Sequence, residues 1–193
     1  MTLRIAALVK QIPAFEEMTL GPDGRLVREG LDLEMSAYCR RAVAQAVALA
    51  VEHGGSVTVV TLGPPSAEDS LREAIAWGEA RDVATSGILV SDTRFAGSDT
   101  LATARALAAT LERQGPFDLV LVGRNSVDAD TGQVGPELAQ LLDLPFVTGA
   151  RHLTLADGVL DIRAEHDDGW AQVRVALPAI VSTAERLTEP CKV

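Results

Sequence analysis

Short β-branched runs alternate with alanine-rich helical stretches along most of this chain, and that alternation restricts the fold more than any other feature. Residues 3–9 (LRIAALV), 57–62 (VTVVTL), 88–90 (ILV) and 117–122 (FDLVLV) read as strands. Between them, residues 40–52, 66–78 and 98–112 carry apolar positions at helical spacing. Ser36 precedes the first of these helices and Ser66 is placed to cap the second. Parallel neighbours need a crossover long enough to hold a helix, so this βαβαβ rhythm predicts an α/β fold, with a mostly parallel sheet as the middle of three layers.

Other segments modify that plan. The GPDG turn at residues 21–24 marks an excursion expected to leave and rejoin the sheet as a hairpin. After Pro145, residues 151–155, 159–164 and 171–177 are short and strand-like, separated by ADG and HDDG turns. They predict a small antiparallel addition over residues 151–177 at the sheet edge, with residues 178–184 (PAIVSTA) returning to the main sheet. No terminal helix is expected over residues 186–193, and residues 1–193 are read as a single nucleotide-binding domain.

Charge and motif content exclude several functions. A net charge of -10 argues against a nucleic-acid backbone or an anionic membrane as the main partner. The apolar run at the start is too short for stable membrane insertion. Cys39 and Cys191 lack CxxC spacing, which fits a reduced, cytoplasmic setting. His53, His152 and His166 are scattered, so no metal site is expected. The sequence holds no G-x-S-x-G elbow and no phosphate-binding P-loop, so no catalytic residue is assigned.

The chemistry concentrates where strands end. Gly123–Pro136, GRNSVDADTGQVGP, links the fourth apolar run to a helical ELAQLL segment. In an open α/β sheet, ligands bind outside the carboxyl ends of strands, and a helix N-terminus favours phosphate. Asp128 and Asp130 can accept from ribose hydroxyls or orient phosphate donors, or else belong to a solvated loop that caps the helix. Thr131 and Gln133 can donate to phosphate oxygens, and Gly132 and Gly135 permit close backbone approach. Val134 is expected to pack beneath the loop and Pro136 to occupy N1 of the helix. Val9 and Lys10 end the first strand, Gly63 ends the second, and Ser91 and Asp92 follow the third. Lys10 either neutralises a phosphate, to which the resemblance described below adds a reduced flavin, or is an ordinary solvated lysine. Gly97, Ser98, Asp99 and Thr100 complete the third loop, where Ser98 or Asp99 is equally a helix cap. Gly123, Arg124 and Asn125 stand at the fourth strand end, where adenine or ribose would be contacted, or, as the resemblance described below implies, an alpha subunit.

The order of these motifs resembles the beta subunit of electron-transfer flavoprotein, and especially its electron-bifurcating and fix-type branch. The resemblance begins at Val9-Lys10-Gln11-Ile12-Pro13 and continues through GPDGRLVREG at residues 21–30 and VVTLGPPSAEDSLRE at residues 59–73. It includes SDTRFAGSDT at residues 91–100, then Gly123–Pro136, Leu177-Pro178-Ala179 and Leu187-Thr188-Glu189-Pro190. It implies an adenine nucleotide alpha hydrolase-like fold and a heterodimer with an alpha-like subunit. It also implies a dehydrogenase or quinone-linked redox partner. In ordinary members the beta site holds AMP; in the bifurcating branch it holds a second FAD that takes hydride from a nicotinamide cofactor. DADTGQVGP is closer to the bifurcating pattern, so the resemblance favours FAD, with AMP as the alternative and a nonredox adenine-nucleotide sensor as a more distant one.

The chain also departs from the family pattern. Residues 77–87 form a longer, differently charged path than the usual compact turn, and Met35-Ser36-Ala37-Tyr38 replaces an NPxD-like segment. The sequence stops after Glu189-Pro190-Cys191-Lys192-Val193, so the usual C-terminal arm that embraces alpha is expected to be absent.

Overall fold

A computed structural model describes residues 2–14, 19–22, 24 and 30–192. The chain is α/β, with an eight-stranded sheet in the order β5-β4-β1-β6-β10-β7-β8-β9 and a separate two-stranded sheet, β2-β3. The main strands are β1 (Leu3–Val9), β4 (Gly55–Leu62), β5 (Ala84–Val90), β6 (Leu119–Gly123), β7 (Phe146–Ala156), β8 (Val159–His166), β9 (Gly169–Ala176) and β10 (Ala179–Thr183). Pairing is parallel from β5 through to β7 and antiparallel across β7-β8-β9.

Helices cover both faces. Leu3, Ile5, Ala7 and Val9 of β1 join Leu119, Leu121, Ala179 and Val181 in one apolar cluster, against α1 (Ala37–His53) and α2 (Glu68–Glu79). Ala6 and Leu8 join Val120, Val122 and Ile180 in a second cluster, against α3 (Thr100–Gln114) and α4 (Val134–Leu142). Successive strand residues point to opposite faces, so a strand buried on both sides reads as an unbroken apolar run. Among the described residues, no helix is long and apolar enough to cross a membrane.

Several boundaries differ from expectation for identifiable reasons. The hairpin arms β2 (Gln11–Pro13) and β3 (Leu33–Met35) pair antiparallel with each other and form their own sheet instead of rejoining the main one. The GPDG turn closes through Gly24 N donating to Gly21 O at 2.9 Å, while Asp23 and residues 25–29 of the GPDGRLVREG landmark lie outside the described residues. Ser66 does not cap α2; it sits in a 3-10 turn, Pro65–Ala67, and its hydroxyl faces Gln11 Oε1 at 3.3 Å. β5 extends back to Ala84, so Thr85, Ser86 and Gly87 are strand and not connecting path. The half-exposed face of this edge strand hides it from a search for apolar runs.

The antiparallel part begins earlier than residue 151. β7 starts at Phe146 as a parallel neighbour of β10 and from Ala150 onward also pairs antiparallel with β8 on its other edge. Gly149 has φ 70°, and an added Cβ would lie 2.6 Å from the Glu165 carbonyl oxygen. Its N–H donates to Ser182 Oγ at 3.0 Å, which anchors this point of β7 to β10.

Both thiols are buried. Cys39 lies in α1, and Cys191 packs against the same helix, where its N–H donates to Arg40 O at 3.3 Å. Burial pushes the Cys39 thiol up, and it pushes Cys191 up to about 11 from an ordinary 9.0. The folded chain therefore binds the Cys191 proton more tightly than the unfolded chain does. Its stabilising contribution is whole below pH 9.0 and is lost as pH rises through about 11.

Two predictions follow from this packing. Gly149→Ala combines a left-handed backbone with a main-chain clash and should cost about 2 kcal/mol or more, read as a lower urea midpoint with an unchanged slope. The urea midpoint of the wild-type chain should fall between pH 9 and 11, and Cys191→Ala should flatten that fall.

Candidate functional site

The sheet order creates one crevice by its connectivity. From β1 the chain moves outward through β4 to β5, then α3 returns it to β6 on the other side of β1. Crossovers on either side of β1 and β6 thus diverge, leaving space beyond their carboxyl ends. Lys10 leaves β1 at that edge, and residues 124–133 leave β6.

A charged contact joins the two strand ends. Lys10 Nζ donates to both carboxylate oxygens of Asp128, at 2.9 and 2.8 Å, and faces Ser126 Oγ at 3.3 Å. The Asp128 side chain has no exposed surface, whereas 40% of the Lys10 side chain remains exposed. Asp128 is thus fixed inside the loop, and Lys10 keeps a face toward solvent. Ala129 and Asp130 both donate their N–H groups to Ser126 O, closing the turn. Asn125 Nδ2 donates to Asp130 Oδ1. Asp130 and Gly132 have φ 48° and 63°, which double the chain back toward α4.

The loop ends in an open helix N-terminus. Gln133 is the N-cap of α4 and makes no side-chain cap bond, so the N–H groups of Val134 and Gly135 have no partner within the helix. Pro136 is the third helical residue, not N1, still within the turn where its missing N–H costs nothing. Val134 packs with the apolar cluster beneath the loop. Gly135 is buried, and a Cβ there would come within 3.0 Å of the Phe146 ring, so its smallness serves packing against β7. Thr100 Oγ1, at the start of α3, lies 3.0 Å from Glu137 Oε1 and 3.2 Å from Gln133 Oε1. Glu137 Oε2 is buried without a hydrogen-bond partner.

The remaining sequence candidates lie apart from this contact. Gly63 ends β4 and donates its N–H to Val90 O at 3.1 Å. Ser91 is exposed after β5, two strands from β1. Asp92 accepts from the Arg94 guanidinium and backbone N–H, which hold its carboxyl down at about 2. Ser98 donates to Phe95 O at 2.8 Å, and Gly97 turns the chain with φ 78°. Asp99 caps α3 by accepting from Ala102 N at 2.7 Å. Thr131 is exposed at the loop tip. Gly123 lets β6 abut α1, since a Cβ there would lie 2.9 Å from the Tyr38 Cβ. Arg124 donates its N–H to Thr183 O at 3.1 Å, and its side chain turns to a neighbouring cleft with Tyr38.

Sequence reasoning missed Ser126 and Glu137. Ser126 carried no signal, because its role depends on the carbonyl that closes the turn. Glu137 was legible as the acidic residue in the first turn of α4, but its orphaned oxygen emerges only from packing.

The loop and the start of α4 bring together a partly exposed Lys10 side chain, helix N–H donors without intrahelical partners and a buried carboxylate oxygen without a hydrogen-bond partner. The first two suit phosphate oxygens, and the third suits a hydroxyl or amine donor, so the set fits a nucleotide-type cofactor.

Comparison with known proteins identifies the family. Residues 23–192 match the electron transfer flavoprotein domain family. An electron transfer flavoprotein subunit beta of Thermoanaerobacterium thermosaccharolyticum is 35% identical over 189 residues, covering 97% of this chain and 70% of that protein. The caffeyl-CoA reductase-Etf complex subunit CarD of Acetobacterium woodii is 35% identical over 190 residues, covering 97% of this chain and 71% of that protein. Protein FixA of Azorhizobium caulinodans is 35% identical over 195 residues, covering 97% and 68%. With a family domain matched over residues 23–192 and relatives of this identity along nearly its whole length, the chain belongs to the electron-transfer flavoprotein beta-subunit family.

Proposed function

We propose that this chain holds FAD at the β1–β6 crevice and passes electrons between a reduced donor or dehydrogenase and an acceptor, as a heterodimer with an alpha-like subunit. The observation that carries this reading is the partly exposed Lys10 side chain, fixed by buried Asp128 beside the uncapped α4 N-terminus.

Each group has a distinct task in this assignment. Lys10 and the N–H groups of Val134 and Gly135 hold phosphate oxygens, with Thr131 and Gln133 adding side-chain donors at the loop tip. Asp128 positions Lys10 and does not meet phosphate itself. Glu137 accepts from a ribose hydroxyl or the adenine amine through its unpartnered oxygen. Thr100 holds Glu137 in place from the start of α3. The flavin, when bound, supplies the redox chemistry, and the chain supplies position and local charge. Two relatives are named as subunits of caffeyl-CoA reductase and acryloyl-CoA reductase systems, which supports a CoA-ester reductase or dehydrogenase as the redox partner.

Parallel calorimetric titrations of the ligand-free chain with FAD and with AMP, with and without the alpha-like subunit, test this reading. FAD should bind the isolated chain and AMP should compete for the same site. Binding of AMP alone, with FAD taken up only when alpha is present, would replace the flavin assignment with a structural AMP site. No nucleotide binding in either condition would overturn both.

Lys10→Met should weaken FAD binding roughly ten-fold or more, the size of one lost charge-assisted contact. It should also lower stability, because it removes the two hydrogen bonds that Lys10 donates to the buried Asp128 carboxylate. Calorimetry and urea unfolding read the two effects separately.

A further inference from the structure

Beside the Lys10 loop, the same carboxyl edge opens a second cleft over the ends of β6 and β10. Its volume is about 340 Å³, and it is lined by Tyr38, Arg124, Arg151, Glu165, Glu185 and Arg186. These residues come from five elements or their ends. Arg124 follows β6, Glu185 and Arg186 follow β10, Arg151 and Glu165 belong to β7 and β8, and Tyr38 lies in the first turn of α1. The volume lies in the range of small-molecule sites, at its lower end.

The charges in the cleft are unevenly matched. Arg151 Nη1 donates to Glu185 O at 3.0 Å and pairs with Glu165 Oε2 at 3.2 Å. Those contacts fix the guanidinium plane and leave its Nε and Nη2 donors outside them. Among the described residues, Arg124 reaches a carboxylate only at Asp167, 3.9 Å away and fully exposed, where water screens the pair. Arg186 makes no ion pair among the described residues and is exposed at φ 62°. Glu185 lies 3.4 Å from the Tyr38 hydroxyl. Three guanidiniums therefore share the cleft with two carboxylates, in a chain whose net charge is -10. Guanidinium forks match tetrahedral oxyanions in a way that ammonium groups do not.

We propose that this cleft is a second anion subsite, taking the phosphate or pyrophosphate group of a small molecule between Arg124, Arg151 and Arg186. Arg151 is pre-set by Glu165 and the Glu185 carbonyl, while Arg186 and Arg124 close on the anion from the two strand ends. None of Lys10, Asp128, Gln133 or Glu137 lines the cleft, so the subsite stands or falls apart from the flavin assignment.

Tyr38 is the sole tyrosine of the chain and lines the cleft, which gives a built-in reporter. The ligand-free chain carrying 3-fluorotyrosine is titrated with inorganic phosphate, pyrophosphate and AMP at constant ionic strength, followed by fluorine NMR. The expected result is a saturable shift of the single resonance with at least one of these anions. Affinity should fall roughly ten-fold in Arg186→Gln, an exposed position whose replacement leaves the fold intact, and should persist in Arg105→Gln on the outer surface of α3. Response to inorganic phosphate and pyrophosphate alike identifies free oxyanions as the source, and response to AMP alone identifies a nucleotide. Absence of any saturable shift, an equal shift with sodium chloride, or a shift lost in Lys10→Met but kept in Arg186→Gln would overturn the proposal.

Discussion

The burial of β1, β6 and β10 on both faces is the constraint from which the other features descend. Ile5, Ala7, Leu119, Leu121 and Val181 fill one side, and Ala6, Val120 and Ile180 fill the other. A charged or hydrogen-bonding side chain within these strands would lose its hydration without a partner. Buried Ser182 and Thr183 of β10 accordingly have hydrogen-bond partners, and charged groups gather in the first residues beyond the strands' carboxyl ends. Lys10, Arg124 and Glu185 all occupy such positions, at the same edge, because the three strands are parallel.

The polar contacts at that edge also hold the strands' ends in register. Thr183 Oγ1 lies 3.1 Å from Tyr38 O and 3.2 Å from Val122 O, joining the ends of β10 and β6 to the start of α1. Lys10 and Asp128 do the same between β1 and the loop after β6. Burying Asp128 is unfavourable alone, and the adjacent ammonium offsets that cost only while the loop keeps its shape. Loop geometry and the placement of positive charge are thus one property, set by the same pair.

Much of this was legible in the sequence because apolar strands bounded by helices have few ways to pair. The runs at β1, β4 and β6 and the Gly123–Pro136 loop fell where expected. β5 was read as only three residues because its outer positions are half-exposed, so Ala84–Gly87 lack an apolar signature. β7 was read from residue 151 because its earlier half carries Gly149, a residue that normally argues against a strand interior. The loop residues were named as a group, without their pairings. Nothing in the order of residues says that Lys10 meets Asp128, 118 positions away, or that Asp92 and Asp99 are satisfied within their own turn.

The pairing of β7 on both edges links fold to chemistry at the second cleft. β10 enters between β6 and β7, so β7 pairs with β10 on one edge and with β8 on the other, and Ala150 takes part in both ladders. Gly149 immediately precedes that shared residue and Arg151 follows it at an irregularity in the β8 ladder, while Ala184 N donates to Ala150 O at 3.0 Å to hold the end of β10 alongside. Arg151 and Arg186 therefore approach one another because a strand bends there, not because their sequence neighbourhoods are charged. The glycine and the arginines form one architectural unit, in which a backbone requirement of the sheet determines where cationic donors gather.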